Sequence, residues 1–84
     1  MNKRQQAVYD ETCDHIRDTY GSYNTIAVRS VQITDEVITG ETVRTWFLER
    51  KIPADFVFVL YQMMEQEIDP LSLLPWMRRW VTLK

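Results

Sequence analysis

Cys13 is the only cysteine of an 84-residue chain, so no internal disulfide can staple the fold. Whatever this chain builds must be held by one hydrophobic core. The raw material suffices: 45% of residues are hydrophobic, only two are glycine, and ten are Trp, Tyr or Phe. A secreted domain of this size would normally carry disulfides, so a reducing, cytoplasmic setting is expected. The start, MNKRQQAVYDE, turns charged where a signal peptide needs an apolar stretch. The longest apolar run, Phe56 to Tyr61, is too short to span a bilayer. A soluble domain without a membrane partner is the expectation.

Helical spacing dominates the pattern. Asn2 to Tyr20 reads as a first helix with Val8, Thr12, Ile16 and Tyr20 in an i, i+4 stripe, flanked by Tyr9 and Cys13. Gly21-Ser22 then stops it. Residues 25–38 are ambiguous. Ile26/Val28 and Val31/Ile33 alternate as in a strand, whereas Ile33 and Val37 are spaced for a helix; a short helix from Arg29 to Glu36 is the expectation. Thr39 is a good N-cap for a helix from Gly40 to Arg50, and Glu41 suits its positive end. Lys51-Ile52-Pro53 closes that helix, and Pro53 suits the first position of the next. The latter, apolar nearly all round to Met64, reads as the central buried helix, although FVFVLY would also suit a buried strand. Asp69-Pro70 opens a last helical segment, interrupted at Pro75. The predicted fold is all-α: a single domain over 1–84, a compact bundle of about five short helices.

Chemistry-bearing residues are sparse. One His, one Cys, no glycine-rich phosphate loop and no paired-carboxylate spacing leave no nucleophile-and-base set to nominate, so the chain is not expected to be an enzyme, and no cofactor or small-molecule substrate is implied. His15 lies near Glu11 and Asp18 at helical spacing, which suits a surface ion pair; Cys13 and His15 diverge on a helix, so no metal site is expected.

The functional candidate is the segment around Gly40. On a helical wheel Val43, Trp46 and Phe47 cluster inward while Glu41, Arg44, Thr45 and Leu48 point outward. A helix-turn-helix needs this division: apolar anchors seat the second helix, and its outer face meets base edges. Arg44 could reach guanine O6/N7, Glu41 could accept from cytosine N4, Thr45 could serve either, and Leu48 could meet a thymine methyl. Thr39, Thr42 and the first backbone amides could hold a phosphate, with Arg29, Arg50 and Lys51 adding charge.

The stretch Ile38-Thr39-Gly40-Glu41-Thr42-Val43-Arg44-Thr45-Trp46, followed by Lys51-Ile52-Pro53, resembles the helix-turn-helix regulators of the Cro and repressor type found in phages and prophage remnants. In them an inward valine is followed three residues on by an inward tryptophan, and an Ile-Pro opens the next helix. The resemblance covers roughly residues 29 to 60, with the helix-turn-helix over 29–50. It implies transcriptional regulation, as by a repressor, through double-stranded DNA and often a homodimer. Such families carry a small residue in the helix before the turn and a glycine at the turn; here Ile33 and Val37 stand at those places.

Charge pulls the other way. The formal net charge is -2 and the pI about 5.3, against the basic balance that phosphate binding favours. The charges are segregated, however: residues 55–69 hold four acids and no base, and only Arg78, Arg79 and Lys84 follow Asp69. Two further readings stay open. Arg44 and Thr45 would be plain solvated surface if the chain were a helical protein-interaction module, which the acidic pI and exposed Leu48 favour. Trp76, Met77, Trp80 and Val81, in the segment 70–84, would close the core or pair two protomers. DNA reading calls for an exposed, locally positive face around Arg44; the interaction module calls for that face to be covered or silent.

Overall fold

The computed structural model describes residues 2–75, and these form four α-helices followed by one 3-10 turn. Helix α1, Lys3–Tyr20, starts at a reciprocal cap: Asn2 Oδ1 accepts from the Gln5 amide at 2.8 Å and Gln5 Oε1 from the Asn2 amide at 3.0 Å. It ends at Gly21, whose φ of 86° is the left-handed conformation that stops helices. Tyr9, Cys13 and Ile16 are buried and Tyr20 half-buried. The expected stripe holds at Ile16 and Tyr20, but at its start the flanking Tyr9 and Cys13 are buried in place of Val8 and Thr12, and Val8 stays 39% exposed. The Tyr9 hydroxyl accepts from the Ile52 amide at 3.2 Å inside the core, satisfying a donor that would otherwise be buried unpaired.

Helix α2 spans Tyr23–Thr34. The ambiguous segment is thus helix, but it begins six residues before the expected Arg29 start and ends before Glu36. Ser22 caps it by accepting from the Thr25 amide at 3.1 Å. Ile26, Ala27 and Ser30 are buried on one face, whereas Val28 is 59% exposed. Packing of that face overrides the β-branched alternation, which would have buried Val28 with Ile26. Ser30 is the one buried polar residue among those described, and its hydroxyl donates to the Ala27 carbonyl at 2.7 Å.

Helix α3, Gly40–Leu48, stops two residues short of the expected Arg50. Arg50 adopts φ 55°, and the Lys51 and Arg50 amides donate back to the Trp46 and Phe47 carbonyls at 2.9 and 3.4 Å. This double bond pattern closes the helix end with a non-glycine residue in the left-handed position. Helix α4 spans Ala54–Met63, with Pro53 as its cap residue instead of its first helical one. Phe56, Val57 and Leu60 are buried, but Phe58 is 50% exposed, so α4 is buried on one side and not all round.

After α4, the described part of the expected last helical segment holds the 3-10 turn Pro70–Ser72, capped by Asp69 accepting from the Leu71 amide at 3.0 Å. Leu73 and Leu74 are fully buried beyond it. The buried residues of all four helices and of this tail make one cluster. Trp76, Met77, Trp80 and Val81 lie outside the described residues. No described helix is long and apolar enough to cross a membrane.

Two buried ionisable groups give the core a pH signature. Burial pushes the Tyr9 phenol from 10.0 up to about 12 and the Cys13 thiol from 9.0 up to about 12. Each therefore loses its proton first in the unfolded chain. The stability they confer is complete below the unfolded values and is lost as pH rises from 9.0 towards about 12. Unfolding by urea at about pH 10 should give a stability about 1–2 kcal/mol below that at about pH 8. Most of that difference should vanish in Cys13→Ala, because the thiol titrates first; an unchanged pH slope in that variant would place Cys13 outside the core.

Candidate nucleic-acid interface

Helix α3 packs chiefly on α2, and their junction sets how the outer face of α3 is presented. Between them Asp35 takes φ 59°, ending α2 in a left-handed step. Aspartate is among the few non-glycine residues that tolerate this conformation. Glu36 to Ile38 lead on to Thr39, whose hydroxyl caps α3 by accepting from the Thr42 amide at 3.1 Å. The Thr39 and Thr42 hydroxyls lie 3.0 Å apart. One donates to the other, and the second keeps its hydrogen for an external acceptor. The Gly40 and Glu41 amides make no hydrogen bond among the described residues, so the positive end of α3 keeps two donors.

Gly40 is where the two helices touch. A Cβ on Gly40 would lie 2.8 and 2.9 Å from the Asn24 Cα and amide nitrogen, both backbone atoms that cannot swing aside. Gly40→Ala should therefore destabilise the fold by about 1–3 kcal/mol, even though alanine is the better helix former by up to about 1 kcal/mol. Urea unfolding checks this, and a neutral or stabilised variant would mean that α2 and α3 do not approach so closely.

The faces of α3 divide as the wheel predicts. Val43 and Phe47 are buried. Phe47 meets Tyr23 edge-on at 5.5 Å, and half-buried Trp46 lies against Phe56 at 4.9 Å. Glu41, Arg44, Thr45 and Leu48 are exposed, Leu48 by 56%. Thr39 is exposed and Thr42 half-buried at the helix start. These six residues form one continuous end and face of α3.

The remaining candidate residues are dispersed. Arg29 is exposed but shares a hollow with His15, Tyr20, Met63 and Glu65, away from the outer face of α3. Lys51 is exposed, 3.8 Å from Glu49. Arg50 turns to α1, where its Nε and Nη2 donate to Asp10 Oδ1 and Oδ2 at 3.0 and 2.6 Å. That doubly bonded carboxylate raises the guanidinium pKa further, chiefly through the hydrogen bonds. His15 is exposed and makes no ion pair among the described residues, and no described cluster of His, Cys, Asp and Glu could hold a metal ion.

Electrostatically the face is open yet balanced. Arg44 Nη1 lies 3.5 Å from Glu41 Oε1. Over residues 29–51 the bases Arg29, Arg44, Arg50 and Lys51 are matched by the acids Asp35, Glu36, Glu41 and Glu49. Exposure meets what DNA reading requires; the formal charge does not supply a positive field.

The residues that sequence reasoning missed are Asn24, Ala27, Asp35 and Asp10. The small buried residues in the helix before the connector are Ala27 and Ser30, while Ile33 is 40% exposed; the left-handed residue is Asp35, and Val37 is 85% exposed. Ala27 stands between β-branched Ile26 and Val28, and Asp35 just past the last threonine of α2. No family model, curated protein or solved structure matches this chain.

Proposed function

We propose that this chain is a sequence-specific DNA-binding regulator that lays α3 in the major groove. The observation that carries the reading is the division of α3: Val43 and Phe47 seat it in the core while Glu41, Arg44, Thr45 and Leu48 stand exposed along one face. The close Gly40–Asn24 approach mounts that face rigidly on α2. The resemblance to Cro- and repressor-type helix-turn-helix regulators puts its small residue and its turn glycine at Ile33 and Val37, four apart, whereas buried Ala27 and left-handed Asp35 lie eight apart, so the reading rests on α3 and not on the helix before it. In this reading Arg44, Glu41, Thr45 and Leu48 meet base edges, and Thr39, Thr42 and the first amides of α3 meet phosphate. A homodimer would put two such helices about 34 Å apart on a near-palindromic site, offsetting the low charge of each copy.

A protein-interaction module is the second reading. The balanced charge over residues 29–51 and the exposed Leu48 favour it. A fluorescence-anisotropy titration against a mixed genomic fragment library, at low and at moderate salt, separates the two. DNA reading expects binding at low salt that weakens steeply as salt rises. No binding at low salt overturns it and leaves the interaction module.

A further inference from the structure

A cation next to the proposed reading face is withheld from solvent anions by an internal carboxylate. Arg50 follows α3 directly, in the left-handed position, so its backbone is fixed by the helix end. Its guanidinium forks onto Asp10 across forty residues of sequence, with both oxygens engaged at 3.0 and 2.6 Å. A carboxylate bound in this two-pronged way occupies the same donors that a phosphate would take. The pair is open to solvent: the side chains are 35% and 48% exposed. It lines a shallow groove together with Asp14, Tyr23, Phe47 and Leu48, so it borders the outer face of α3 at Leu48.

We infer that Asp10 sets the DNA affinity of this chain by standing in for a backbone phosphate on Arg50. The inference rests on the DNA-binding reading and adds a term to it. Each phosphate neutralised by a free cation releases counterions and steepens the salt dependence, whereas a cation already neutralised by an internal carboxylate releases none. Arg50 is thus a latent contact. Asp10→Asn keeps the shape of the side chain and removes the charge that holds the fork, so that a phosphate competes on better terms.

The test uses the full chain and a labelled random-sequence duplex, titrated over a range of salt. Asp10→Asn should bind more tightly than wild type at low salt. Its slope of log affinity against log salt should steepen by about 0.9 per protomer. The double variant Asp10→Asn/Arg50→Gln should return the slope to the wild-type value. If Asp10→Asn has the wild-type slope while wild type itself binds in a salt-dependent way, the inference fails and the DNA reading stands. A steepened slope that persists in the double variant also overturns it, since loss of the acid alone would then account for the gain. If neither wild type nor Asp10→Asn binds the duplex, the DNA reading and this inference fall together.

Discussion

Replacing Phe47 with alanine is expected to cost about 3–5 kcal/mol, the largest effect of any single substitution on the α3 surface. Phe47 is 3% exposed and stacks edge-on against Tyr23 at 5.5 Å, so truncation removes both a buried ring and a favourable aromatic pair. The residues around it come from separate helices whose caps and turns are individually fixed, so the cavity cannot collapse by moving one side chain. A small domain has only about 5–15 kcal/mol to lose; Phe47→Ala should unfold at much lower urea, with a slope like that of wild type. Leu48→Ala, one residue on and 56% exposed, should stay within about 0.5 kcal/mol of wild type. The contrast between these neighbours is the measurement. Equal effects at the two positions would mean that α3 is not seated as described, and every statement about its outer face would lose its footing.

Phe47 and Leu48 also show what helical spacing alone reveals. A helix repeats every 3.6 residues, so the inward set Val43, Trp46 and Phe47 and the outward set Glu41, Arg44, Thr45 and Leu48 follow from spacing alone. Start signals are legible at Asn2, Thr39 and Asp69, because a cap is a local affair in which the side chain accepts from an amide two or three residues on; Ser22 caps in the same way but reads in sequence as part of a stop. Stops were less so. Asp35, Arg50 and Glu65 end helices in the left-handed conformation without being glycine; aspartate tolerates it, but nothing local in the sequence marks Arg50 or Glu65 for it. The start of α2 was lost for a related reason. Its β-branched residues carry weak preferences of their own, and the decision belongs to Ala27 and Ser30, whose burial depends on partners far away in sequence. The withdrawal of Arg50 from the candidate interface was the least legible feature. Asp10 and Arg50 are forty positions apart, and only the folded packing of α1 beside the end of α3 brings a carboxylate onto that guanidinium.

Arg44→Ala is expected to lower affinity for a specific site by about 10- to 100-fold, the loss of about 1–3 kcal/mol that accompanies removal of a forked contact to guanine. The residue is exposed and pairs, among the described residues, with Glu41 at 3.5 Å, so the folded state should lose little. Glu41 adds to the effect on DNA, because without Arg44 its carboxylate meets the duplex uncompensated. Charge and shape are separable here. Arg44→Lys keeps the charge but gives up the planar fork; it should keep the salt dependence of wild type while losing most of the preference for the specific site. Affinity measured on the selected site and on a random duplex, each over a range of salt, resolves the two contributions. If Arg44→Lys behaved as wild type on both, Arg44 would be acting on phosphate alone, and sequence would have to be read by Thr45 and Leu48. If Arg44→Ala bound the specific site as tightly as wild type, the outer face of α3 would not face DNA, and the exposed Leu48 beside a charge-balanced surface would belong to a contact with another protein.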